Sequence, residues 1–197
     1  MDEIPTTLLS EELPVEKQSA PEKIFSMRVC IKWLREALET ILPAILIAIL
    51  INLFVGQPTR VHGRSMEPNL HTDQRLVVEK IGYRLHGPRR GDIVVFDIPE
   101  QSDELLIKRV IGLPGETVEI HDGQVYINNS PLNESYLTQE TRGNYGPVVV
   151  PPLHVFVLGD NRSFSNDSRA FDAVPIEAIV GRAWLSYWPM KDLGFFD

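Results

Sequence analysis

The sequence predicts a mainly β protein: an antiparallel β domain preceded by one transmembrane helix. Three observations predict it. A charge-free run, Ile41–Ile51, lies near the N-terminus, and short runs rich in β-branched residues recur between prolines beyond it. Alternation on both sides of Asp122-Gly123 marks a hairpin, because both turn positions accept positive φ. At 197 residues the chain holds one domain of ordinary size. With 43% hydrophobic and 23% charged residues it is neither wholly disordered nor a polytopic membrane protein. A net charge of −8 argues against nucleic acid as a partner, since phosphates require a basic face. Cys30 stands alone, which excludes an internal disulfide and a cysteine-based zinc site.

Residues 1–36 read as a cytoplasmic segment, first a flexible acidic tail and then a basic juxtamembrane stretch. The tail carries Glu11, Glu12 and Glu16 with Pro5, Pro14 and Pro21, and cannot bury enough surface to offset its ordering entropy. Residues 37–55 read as the anchor, roughly 28 Å long at ~1.5 Å per residue, near the ~30 Å of the hydrocarbon layer. A buried core helix is the rival reading, but residues 44–51 are apolar on every face. A cleaved leader is disfavoured because NLFVGQ lacks small residues in an A-x-A arrangement. Lys17, Lys23, Arg28, Lys32 and Arg35 precede the helix, against Arg60, Arg64 and Arg75 after it. The positive-inside tendency therefore puts the N-terminus in the cytoplasm and residues 56–197 across the membrane.

In that outer domain the strand candidates are RLVVEK, DIVVFD, ELLIKRVI, HVFVLGD and GRAWLSYW. Only VPIEAIV suggests a helical turn. Five histidines show no metal-binding or other close pairing, so no metal site is expected.

Three segments carry candidate chemistry. GRSMEPNL holds Ser65 in an irregular turn, where a hydroxyl and its own amide can be presented together. LLIKRVIGLPGE places Lys108 inside an apolar strand, on the same face as Leu106 and Val110. If that face is buried, the ammonium loses hydration and the neutral amine is favoured; reaching ~8 from ~10.4 takes roughly 3.3 kcal/mol. A strand lysine snorkelling to water is the ordinary alternative. Arg109 points to the opposite face and stays charged, which suits a structural part. LGDNRSFSNDSR is either a polar loop of turn formers or a platform. On the second reading its hydroxyls hold the amine while Asp160, Asp167, Arg162 and Arg169 form ion pairs.

GRSMEPNL, RRGDIVVF, KRVIGLPGE and GDNRSFSNDSR, in this order behind an anchor, closely resemble the successive motifs of type I signal peptidases. These are membrane-bound serine proteases that remove signal peptides. The single anchor and the short segment between Gly112 and Leu158 resemble the compact forms of that family. The resemblance implies Ser65 as nucleophile, Lys108 as general base and Ser165 as the residue that positions the lysine. It implies bracing ion pairs through Arg109, Asp160, Asp167 and Arg169, and the Ser65 backbone amide as oxyanion donor. Some members add a serine two residues before the nucleophile; Gly63 stands there, leaving the second donor to a water or another amide. Small side chains at −1 and −3 of the substrate imply shallow pockets lined by Val61, Met66, Leu70, Leu106 and Ile107. The implied partners are signal peptides of secreted preproteins, the lipid bilayer and, by proximity, the secretion machinery; no cofactor is implied. The outer compartment is periplasmic, wall-facing or lumenal. The rivals are a cytoplasmic self-cleaving Ser-Lys protease, which lacks an anchor, and a non-enzymatic tethered β module, in which Ser65 and Lys108 lie far apart.

Overall fold

The computed structural model describes residues 22–50, 56–98 and 104–196. Residues 1–21 of the expected tail lie outside them, as do residues 51–55 of the expected anchor. The structure divides into two units, 1–46 and 47–197, which are taken in turn.

Helix α1 runs Glu22–Leu50, beginning well before the anchor expected from residue 37. Its first half is charged and laced by i,i+4 pairs, Lys32–Glu36 at 3.8 Å and Arg35–Glu39 at 2.7 Å. Among the described residues no helix is long and apolar enough to cross a membrane. The charge-free part within them is residues 40–50, roughly 16 Å at ~1.5 Å per residue.

The rest is antiparallel β. In chain order come β1 (Gly56–Arg60), β2 (Arg75–Glu79), the short α2 (Ile81–His86), β3 (Ile93–Phe96) and β4 (Leu106–Gly112). Then follow β5 (Thr117–His121), β6 (Gln124–Ile127), β7 (Ser130–Pro131), β8 (Tyr145–Val149) and β9 (His154–Leu158). The chain ends through α3 (Ser168–Phe171), β10 (Val174–Pro175), β11 (Ile179–Trp188) and β12 (Gly194–Phe195). The larger sheet has the order β1-β2-β11-β3-β4-β9-β10, with β12 on β11; the smaller is β7-β6-β5-β8.

Side-chain alternation explains why the inner strands read as unbroken apolar runs. In β3, Ile93 and Val95 enter one cluster with Val61, Met66, Leu70 and Ile107. Val94 and Phe96 enter another with Val110, Val155 and Val157. In β9 the intervening Phe156 and Leu158 join Val118, Ile120 and Val125 of the smaller sheet. Strands β3, β4 and β9 are thus buried on both faces, each full burial of a large aliphatic being worth about 1.5–3 kcal/mol. The Asp122-Gly123 turn has φ of 48° and 79°, the positive pair its sequence implies.

Several elements lacked a sequence signal. β1 and β8 contain Pro58 and Pro147 and lie at sheet edges, where a missing donor is tolerated and apolar alternation is unnecessary. VPIEAIV forms the one-turn 3-10 helix Ile176–Ala178, but α2 and α3 are further helical segments, both too short to show a period. α3 is capped by Asp167, whose side chain accepts from the Arg169 amide.

A buried ion pair fastens the segment between β7 and β8 to the loop after β9. Arg162 donates to both Glu134 oxygens, at 3.1 and 2.5 Å, and the side chains are only 2% and 8% exposed. Glu134→Ala leaves that guanidinium buried without its partner. Denaturant unfolding is expected to show a loss of about 3–5 kcal/mol, against under ~1 kcal/mol for an exposed pair such as Arg60–Asp73.

Candidate active site

Ser65 lies in the connection between β1 and β2, whose two sides are tied by Val61 N–H to Gln74 O at 2.8 Å and Asp73 N–H to Val61 O at 2.9 Å. Met66 and Leu70 are buried, at 2% and 0% exposure, and root this connection in the core. Ser65 between Arg64 and Met66 stays half-exposed.

Lys108 lies in β4, between β3 and β9. Its Nζ is 2.8 Å from Ser65 Oγ and donates to the Ile107 carbonyl at 2.9 Å. The residue is 3% exposed. Burial lowers its pKa from 10.5 to about 8, against an upward pull from Asp167 and Asp160.

Those two carboxylates are engaged elsewhere. Asp160 accepts from Arg109 Nε at 2.8 Å and Nη2 at 2.6 Å, a two-pronged buried contact. The Arg109 guanidinium also lies 4.0 Å over the Tyr136 ring. Burial disfavours the Arg109 charge, but Asp160 outweighs it and holds the group above its ordinary pKa. Asp167 accepts from Arg169 Nε at 2.8 Å and Nη2 at 2.9 Å. Arg162, expected to pair within its own loop, reaches Glu134 instead.

Ser165 is near but unengaged. Its Oγ is buried and meets no hydrogen-bond partner among the described residues, so the expected bond to Lys108 is absent from this arrangement. Proximity comes from Gly159: a Cβ there would strike Ser165 Oγ and lie 2.5 Å from Ser65 O. As a neutral amine, Lys108 has two N–H groups, and Ile107 takes only one.

A cleft of about 260 Å³ opens at the pair, lined by His62, Gly63, Arg64, Ser65, residues 104–108, Phe164 and Asn166. Of the expected pocket residues, Leu106 and Ile107 line it. Val61, Met66 and Leu70 do not; they are packed into the core cluster, since an irregular turn needs apolar roots. Phe164 is 76% exposed at the rim, a placement nothing in its local sequence signalled. Among the described residues, no group of three His, Cys, Asp or Glu could hold a metal ion.

Sequence reasoning also missed the residues that join the two loops. Asn69 donates to Asp160 Oδ2 at 2.8 Å and to Tyr136 O at 2.9 Å. Asn161 donates from its backbone to Ser65 O at 2.9 Å and from its side chain to Arg64 O at 3.0 Å. Both asparagines sit inside the quoted motifs. Glu134 and Tyr136 come from a stretch without periodicity.

The family model "Signal peptidase, peptidase S26" matches residues 34–188. The chain is similar to "Probable signal peptidase I-2" of Synechocystis, 39% identical, covering 96% of this chain and 85% of that protein. It is also similar to "Signal peptidase I" of Leptolyngbya laminosa, 43% identical over 82% of this chain and 83% of the relative. "Thylakoidal processing peptidase 1, chloroplastic" of Arabidopsis thaliana is 34% identical, over 74% of this chain and 46% of its own length. The match of the family model over residues 34–188, with these identities, shows that the chain belongs to the signal peptidase family, peptidase S26.

Proposed function

We propose that this chain is a membrane-anchored serine endopeptidase that removes signal peptides from translocated preproteins, with Ser65 as nucleophile and Lys108 as general base. One observation carries the residue assignment: a lysine 3% exposed, its pKa brought to about 8, lies 2.8 Å from a serine hydroxyl. While charged, Nζ donates to Ser65 Oγ. Once neutral, the contact reverses and the Ser65 O–H donates to the amine lone pair, the geometry a general base requires.

Ser65 Oγ attacks the scissile carbonyl as its proton passes to Nζ. The resulting ammonium returns that proton to the leaving amine, and an acyl-enzyme remains. The amine then takes a proton from water, whose oxygen attacks the ester and frees Ser65. The Ser65 amide meets no acceptor among the described residues and serves the developing oxyanion.

The substrate lies extended between the two backbone walls of the cleft, residues 62–65 and 104–108. Leu106 and Ile107 give the cleft apolar contact, and its modest volume admits small side chains better than large ones. Ser165 completes the amine's hydrogen bonds by turning its hydroxyl to the second N–H.

Residues 37–55 form the anchor. Support comes from Ile41, Leu42, Ile45, Leu46, Ile47 and Ile49, each 48–59% exposed, a contiguous apolar surface of the kind a bilayer covers. The basic flank before the helix supports a cytoplasmic N-terminus, with the β domain on the opposite side, near the secretion machinery. In alkaline carbonate extraction the full chain is expected in the membrane pellet and a chain lacking residues 1–55 in the supernatant; release of both would remove the anchor.

Ser65→Ala and Lys108→Ala are each expected to lower cleavage of a preprotein by about 10⁴-fold or more, with the domain folded. Lys108→Arg should be equally inactive because guanidinium stays charged, and activity in that variant would mean another base.

The pH profile follows from the sign of the Lys108 shift. Below about 8 the amine is protonated and idle, so kcat/KM should climb roughly tenfold per pH step and level off above that value. In Arg169→Gln, Asp167 loses its countercharge and pulls harder on the ammonium. The midpoint should then move up by roughly one pH unit; an unmoved midpoint would disconnect Asp167 from the amine.

A further inference from the structure

A trans peptide carries its C=O and N–H on opposite edges of one rigid plane. Holding the oxygen therefore aims the hydrogen. The Ser65 amide belongs to the Arg64–Ser65 peptide, and the other edge of that plane is Arg64 O. Two donors meet this oxygen: the Glu67 amide at 3.2 Å, closing the local turn, and Asn161 Nδ2 at 3.0 Å. The Asn161 backbone N–H donates to Ser65 O at 2.9 Å, the carbonyl on the other side of the same residue. A single residue of the loop after β9 thus grips both carbonyls that flank Ser65. Among the described residues no other side chain bonds to either. The Gly63 carbonyl, one peptide earlier, is held separately by Thr72 Oγ1 at 2.8 Å.

Resting on Ser65 as the nucleophile, we infer that Asn161 is a positioning residue for the oxyanion: its side chain fixes the Arg64–Ser65 peptide so that the Ser65 amide faces the developing charge. Two physical effects act together. The bond to Arg64 O polarises the peptide and makes its N–H a better donor. It also removes the rocking of the plane that would otherwise have to be frozen as charge develops. Gly63 sharpens the demand, because no hydroxyl two residues before Ser65 shares the charge. Asn161 acts at one remove from the substrate, and the Glu67 bond survives its loss, so the effect is smaller than deleting a donor outright.

The test uses the full chain in detergent with a peptide substrate bearing alanine at −1 and −3. Asn161→Ala removes the side-chain bond. Asn161→Asp keeps size and backbone while replacing the donor by an oxygen that repels Arg64 O, and it decides the matter if the alanine variant fails to fold. Both should lower kcat by about tenfold, below the ~10²–10³ of a lost donor, with KM within about twofold. Affinity for a peptide boronate, which forms a tetrahedral anion on Ser65, should fall in proportion to kcat. The midpoint of the pH profile should stay in place. Unchanged kcat, a fall in kcat with boronate affinity intact, or a moved midpoint would each overturn the inference, the last by assigning Asn161 to Lys108. Activity surviving in Ser65→Ala would instead sink the nucleophile itself.

Discussion

A buried amine held against a hydroxyl, its pKa brought well below the ordinary value, is the constraint on which the rest of this domain depends. Water would hold Lys108 as an ammonium near 10.5; burial in the protein brings it to about 8. The difference amounts to about 3 kcal/mol of preference for the neutral form. A strand buried on both faces supplies such desolvation, and β4, flanked by β3 and β9, is one. The same core carries two carboxylates that work against it. Asp160 and Asp167 both pull the amine toward its charged form, and each is closed off by an arginine, Arg109 and Arg169. The ion pairs therefore do more than brace loops: they mute the negative charge that would hold the amine protonated.

The serine is brought to that amine by a clamp of two loops. Met66 and Leu70 anchor one loop in the core, and Asp160-Asn161 of the other loop grasps it at Asn69, Arg64 and Ser65. Gly159 permits the approach, since a side chain there would occupy the space of Ser165 and Ser65 O. The clamp is itself pinned by Arg162 to Glu134, so a segment remote from the cleft helps set the geometry of the hydroxyl. A tethered binding module without chemistry needs none of this, and would not bring a buried amine within 2.8 Å of a serine.

How far the sequence revealed this varies with the kind of signal. Strands β3, β4 and β9 were legible because burial on both faces leaves continuous apolar runs, and Lys108 stood out as the interruption of one. The Asp122-Gly123 hairpin was legible because its φ values admit few residue types. Ser65 and Ser165 were readable only as parts of motifs. Val61, Met66 and Leu70, expected as cleft walls, lie in the core cluster, because apolar residues beside a reactive serine look alike whether they face a substrate or the core. Glu134 and Tyr136 gave no signal, since a buried ion pair joins partners 28 residues apart through loops that carry no period. Asn161 was hidden for a different reason: in a polar loop an asparagine reads as a turn former, and only its two bonds distinguish it.

The buried amine also ties stability to the reaction. Between about 8 and 10.5 the folded chain binds fewer protons at Lys108 than the unfolded chain, so this group's contribution to stability rises with pH across that window. Below about 8 both states are protonated and the burial penalty is at its full value. A buried lysine of this kind is thus most burdensome where it is charged, and the fold must offset it with packing elsewhere. Buried apolar residues such as Phe96, Ile111 and Phe156, all at most 1% exposed, contribute stabilisation of that kind. Substituting the lysine by an apolar residue of similar size removes the burden and the proposed base together, so stability and activity are expected to be opposed at this one position.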